Sequence, residues 1–123
     1  MIKEAYCSYE IAKLLKEKGF DEPCLQAWVN EMRDKDNDKI QYRFQSRAYQ
    51  NLLEEDECLS PTHQMACAWL REKGYHIYTF NLDPFWIYEI QSLTKDWTFS
   101  FGGFENHDAA IEAAIKYCLE NLI

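Results

Sequence analysis

The chain has 123 residues, 47% hydrophobic and 15% aromatic, enough apolar side chain for one packed core that buries roughly two thirds of the surface of the unfolded chain. That composition excludes intrinsic disorder and points to a single domain over residues 1–123. Thirteen Lys and Arg against 21 Asp and Glu leave a formal net charge of −8, which disfavours nucleic acid as a direct partner, because a cationic footprint is what displaces counterions from phosphates.

The acidic excess falls late in the chain, where residues 76–123 hold two lysines against seven acids. Five cysteines, at 7, 24, 58, 67 and 118, form an odd set without a CxxC pair. The N-terminal MIKEAYCSYE lacks the charged and apolar regions of a secretory signal, so free thiols in a reducing cytoplasm are expected. No apolar run approaches the roughly 20 residues needed to span a bilayer, and a soluble protein without membrane contact is expected.

The first element is a short amphipathic helix over residues 8–18, SYEIAKLLKEK, with Ile11, Leu14, Leu15 and Lys18 on one face, Ser8 as N-cap and Gly19 at the C-terminal stop. LQAWV (25–29) and IQYRF (40–44) then alternate around the turn-rich DKDNDK, the pattern of a β-hairpin, although NEMRDK could also extend as helix. In RAYQNLLEEDECL, YQNLL reads equally as one helical turn or the tail of a strand, and EEDE reads as an acidic surface loop. Ser60 as N-cap, Pro61 at the first helical position and Gly74 at the stop predict a second helix over 61–73.

HIYTFNL, FWIYEIQSL and WTFSFGGF follow, separated by Asp83-Pro84 and Thr94-Lys95-Asp96, and predict a meander of antiparallel strands. Trp86, Tyr88 and Ile90 share one face of their strand. Trp97, Phe99 and Phe101 share one face of theirs with Thr98 and Ser100 opposite, the alternation of a sheet covered on one side. The last segment spaces Ile111, Ala114, Ile115, Cys118, Leu119 and Leu122 at helical intervals, with Asn106 or Asp108 at its start. The whole predicts an α+β fold, an antiparallel sheet covered on one face by helices, in the order αββ-αβββ-α. KEKGF (16–20) and REKGY (71–75) echo each other, consistent with a duplicated αββ unit or with the common chemistry of helix ends.

The candidate sites are few. His63 and Cys67 stand four apart on α-helical spacing, Cys58 lies just upstream, and His76 or His107 could complete a zinc site. No finger, ribbon or knuckle spacing is present, so the helical wheel favours a core-facing helix with Met65, Ala66, Trp69 and Leu70 inward and His63 and Cys67 at its edge. A Cys–His nucleophilic pair lacks a third orienting residue and a glycine-rich oxyanion loop. The four glycines form no phosphate loop, and Gly102-Gly103 reads as a strand-to-helix turn. Asp34, Asp36 and Asp38 alternate as in a calcium loop, yet Lys39 holds the glycine position and the closing glutamate is missing. No catalytic, cofactor-binding or metal-ligating residue is therefore assigned.

The stretches YEIAKLLKEKGFDEPC, SPTHQMACAWLREKGYHIY and AAIEAAIKYCLENLI resemble a group of small uncharacterised proteins of phages and mobile elements in gut bacteria, over nearly the whole chain. The resemblance implies a small acidic accessory protein made inside a bacterial host, and it carries no catalytic residue or cofactor. Together with the residue pattern it leads to the expectation of a non-enzymatic interaction protein whose partner is another protein or a second copy. The competing expectation is a ligand-binding module or small enzyme with a pocket between sheet and helices, walled by Trp86 or Trp97. For nucleic acid, Arg43 and Arg47 on the first hairpin are the only cationic pointers.

Overall fold

The computed structural model describes residues 4–31, 39–43 and 53–123. The chain forms two compact units: Tyr6–Thr62, and Met1–Ala5 together with His63–Ile123.

In the unit of residues 6–62, helix α1 (Tyr9–Glu17) starts where expected, with the Ser8 hydroxyl accepting from the Ile11 amide at 3.4 Å. It buries Ile11, Ala12 and Leu15. Its end is a left-handed stop: Gly19 has φ +94, its amide donates to Lys16 O, and the Phe20 amide donates to Leu15 O. Buried Phe20 and Leu15 make the accompanying apolar contact positions of that motif.

The first hairpin forms as read. Strand β1 (Gln26–Asn30) pairs antiparallel with β2 (Lys39–Arg43), from Gln26↔Arg43 to Asn30↔Lys39. The turn between them, with the Asp34, Asp36 and Asp38 series, lies outside the described residues. A two-residue strand β3 (Cys58–Leu59) adds to the other edge of β1, giving the order β2-β1-β3.

Ser60 departs from expectation. Its amide donates to Gln26 O and its hydroxyl to Cys7 O, while Cys7 N donates to Pro61 O and Tyr6 bridges Thr62. The SPT segment is thus extended backbone spent on pairing, and the helix begins only at His63. A proline fits such an extended edge as well as it fits a first helical turn, which is why the local signal pointed elsewhere.

In the unit that ends at residue 123, helix α2 (His63–Glu72) leads through Gly74 into a sheet of β4 (Tyr75–Leu82), β5 (Phe85–Ser92) and β6 (Thr98–Phe104), ordered β4-β5-β6 and antiparallel throughout. The first residue of α2 is tied to the N-terminal strand of chain, since the His63 amide donates to Ala5 O at 2.9 Å. The outer strands β4 and β6 contain no Asp, Glu, Lys or Arg.

Helix α3 (His107–Asn121) is capped by Asn106, whose side chain accepts from the Ala109 amide at 2.8 Å. It buries Ala110, Ile111, Ala114, Ile115, Cys118 and Leu119, nearly the stripe that the spacing predicts. Phe99 of β6 stacks on Tyr117 with ring centroids 4.7 Å apart, and the Tyr75 hydroxyl donates to Leu122 O at 3.1 Å. Ile77, Tyr88 and Ile90 are buried on the face that carries these contacts.

The order αββ-αβββ-α is therefore observed, with Cys58–Leu59 as a short addition to the first strand group. The echo KEKGF/REKGY marks two helix ends of the same form. Gly74, at φ +104 with its amide on Arg71 O, repeats the Gly19 stop, but the strand after α1 is central in its sheet whereas the strand after α2 is an edge.

Candidate functional site

His63 is the first residue of α2 and is 8% exposed. Two carboxylates of α3 approach its ring, Glu112 Oε1 at 3.3 Å from Nε2 and Asp108 Oδ1 at 4.0 Å from Nδ1. Neither ring nitrogen is aligned for a hydrogen bond despite these approaches. Asp108 also lies 3.3 Å from His107 Nδ1, so one carboxylate stands near two imidazoles. His76 is elsewhere, accepting at Nδ1 from Arg71 Nε at 3.3 Å and lying against Tyr78.

The wheel placed His63 and Cys67 at the edge of the apolar face, and both are buried. Burial pushes the Cys67 thiol up to about 11 and outweighs the nearby positive charge of Arg71, the direction opposite to that of an activated thiol. Cys118 is pushed to about 12, first by burial and then by nearby Cys67. Cys58 sits in β3 of the other unit and is likewise raised to about 11, by burial. Among the described residues no group of three or more His, Cys, Asp and Glu is arranged to hold a metal ion.

A cleft of about 470 Å³ opens in the unit of residues 6–62, beside Lys16, Phe20, Glu57 and Cys58. Two of its polar side chains already hold backbone partners. Lys16 Nζ donates to the carbonyls of Glu55 and Glu57. The Glu57 carboxylate, 8% exposed, accepts from Asn30 N at 2.7 Å and from Glu54 N at 2.8 Å. Within EEDE, then, one acid is a buried clamp on the end of β1 and not part of a solvated loop.

Next to it Asp56 accepts from Asn30 Nδ2 and pairs with Lys39 at 3.2 Å. These contacts, Asn30 first, lower its pKa. Lys39, the residue at the calcium-loop glycine position, is spent on Asn30 and Asp56. The two proposed pocket walls are also engaged, Trp86 edge-on to His107 at 5.4 Å and Trp97 against Tyr75 at 6.1 Å. Arg43 is exposed on β2, and Arg47 lies outside the described residues.

The feature that residue patterns did not single out is the outer face of the β4-β5-β6 sheet. The register places Leu82 beside Phe85, Phe80 beside Ile87 and Gly102, Tyr78 beside Glu89 and Ser100, and His76 beside Gln91 and Thr98. The face thus runs from apolar at the β4–β5 turn to polar at the opposite end. Leu82 is 58% exposed and Phe85 50%. Ile87 lies flat over Gly102, where a Cβ would stand 2.7 Å from Ile87 Cγ1. The Tyr78 hydroxyl donates to Glu89, which raises the tyrosine pKa.

No helix among the described residues is long and apolar enough to cross a membrane. No protein-family model, curated protein or solved structure matches the chain.

Proposed function

We propose that the chain is a non-enzymatic protein-interaction protein, of the phage or mobile-element type that its sequence resembles, and that it works through the outer face of the β4-β5-β6 sheet. The observation that carries this reading is the pair Leu82 and Phe85, both at least half exposed on regular strand backbone and continued by Phe80 and Ile87. Large apolar side chains held on a rigid sheet and left in water gain free energy when a partner covers them, about 25 cal/mol for each Å² of apolar surface removed.

The alternative reading as an enzyme or ligand site gains less support. The Cys58, Cys67 and Cys118 thiols are pushed toward the protonated form, the buried imidazole faces two acids, and Lys16 and Glu57 of the cleft already serve backbone partners.

The test combines sedimentation across a wide concentration range with site-specific photo-cross-linking from position 85 in host extract. A discrete cross-linked protein, lost when Leu82 is changed to Ser, is the expected result. A strict monomer that yields no discrete product from position 85, nor from control positions on α1 and α3, overturns the reading.

A further inference from the structure

The apolar half of the outer sheet face has a distinct electrostatic setting. The β4–β5 turn carries Asp83 between Leu82 and Phe85, Glu105 directly follows β6, and Asp108 is in the first turn of α3 at the same end of the sheet, because Trp86 pairs with Phe104 and touches His107. All three carboxylates are on exposed residues.

Lys and Arg are absent from that end among the described residues of this unit. Arg71 and Lys73 flank the α2–β4 turn and Lys95 sits in the β5–β6 turn, both at the opposite end, where Tyr75 pairs with Ser92 and Leu93 N donates to Gly74 O. Lys116 lies in the later half of α3, 3.9 Å from Glu120. The apolar rows Leu82/Phe85 and Phe80/Ile87 are therefore rimmed by negative charge alone, with Glu89 closing the inner side.

We infer that this face docks a cationic amphipathic segment of a partner protein, apolar side chains seated on Phe80, Leu82, Phe85 and Ile87 and Lys or Arg side chains reaching Asp83, Glu89 and Glu105. This rests on the interaction reading above and adds the chemistry of the partner. A second copy fits poorly, because two such faces would bring like-charged rims together, and like charge across an interface is repulsive. The apolar rows, exposed at Leu82 and Phe85 and half-buried at Phe80 and Ile87, supply the affinity, and the acidic rim supplies partner choice and a salt-dependent association rate.

The experiment titrates isotope-labelled full-length protein with a synthetic Leu–Lys amphipathic peptide and with its Leu–Glu counterpart, mapping amide shifts at low and high salt. The expected result is that the Leu–Lys peptide perturbs residues 80–87 and 102–105. Leu82→Ser and Phe85→Ser should each weaken it roughly tenfold, and Asp83→Asn with Glu105→Gln should reduce its salt dependence.

Perturbation centred on EEDE or on α1, equal binding of the Leu–Glu peptide, or unchanged affinity in the serine variants overturns the proposal. A natural partner cross-linked from position 85 that lacks a cationic segment overturns it too, while leaving the interaction reading intact. Failure of both peptide and cross-link removes the two together.

Discussion

Nε2 of His63 lies 3.3 Å from Oε1 of Glu112, a contact that joins the first residue of α2 to the second turn of α3 across 49 positions of sequence. Removing the buried ring leaves a void under the helix start and takes a partner from the acid. His63→Ala should lower stability by about 1–3 kcal/mol. Glu112→Gln keeps the shape and should cost less than about 1 kcal/mol. Urea unfolding of both variants checks this, and a His63→Ala protein as stable as the parent would show the ring to be unimportant for packing.

The buried thiols define an alkaline limit. Cys67 and Cys58 at about 11 and Cys118 at about 12 stay protonated in the fold beyond the ordinary thiol value of 9.0, because burial disfavours the thiolate. Folded values raised above unfolded ones mean that this contribution is intact below pH 9.0 and is lost as pH rises through 11 to 12. Thermal unfolding followed against pH should show that decline. At neutral pH all five cysteines, each buried, should react with a thiol reagent no faster than the protein opens. One cysteine reacting at the rate of a free thiol would revive a nucleophilic role.

Asp56 acts at the acidic limb. Hydrogen bonds from Asn30 and then Lys39 lower its pKa below 3.8, so its contribution is present above that value and fades as pH falls through the lowered one. Asp56→Asn should flatten the acid side of the stability profile through a small loss of stability at neutral pH, small because the group is exposed, and should match the parent below the lowered pKa. An unaltered acid limb would mean that the Asn30 and Lys39 contacts are too loose to matter.

At Gly102 the close approach of Ile87 leaves no room for a side chain, with 2.7 Å from the Cβ position to Ile87 Cγ1. Gly102→Ala should destabilise by about 1–3 kcal/mol through overpacking. Combined with Ile87→Ala, the pair should cost less than the sum of the single changes, as expected for residues in contact. Strict additivity in denaturant unfolding would mean that the two do not press on each other.

Much of the fold was legible because its signals are local. Ser8 and Asn106 cap helices through residues three positions away, and Gly19 and Gly74 stop them within one turn. The α3 stripe and the alternation in β5 reflect single-element periodicities. Ser60 misled because its hydrogen bonds go to Cys7 and Gln26, far away in sequence. Cys58–Leu59 is too short to show any period. Glu57 looked like its acidic neighbours, and the amide at the end of β1 that its carboxylate holds lies 27 positions away in sequence. The apolar outer rows needed the strand register, since Phe80, Leu82, Phe85 and Ile87 belong to two strands whose pairing the sequence does not state.

Strands β4 and β6 border their sheet without a single Asp, Glu, Lys or Arg, so the usual electrostatic deterrent to sheet-edge stacking is absent from the strands themselves. Repulsion between molecules has to come from the −8 carried elsewhere on the surface. Near the isoelectric point, about 4.8, that repulsion vanishes while the borders are unchanged. Colloidal stability should therefore reach its minimum there, with clusters that grow edge to edge and retain native strand content.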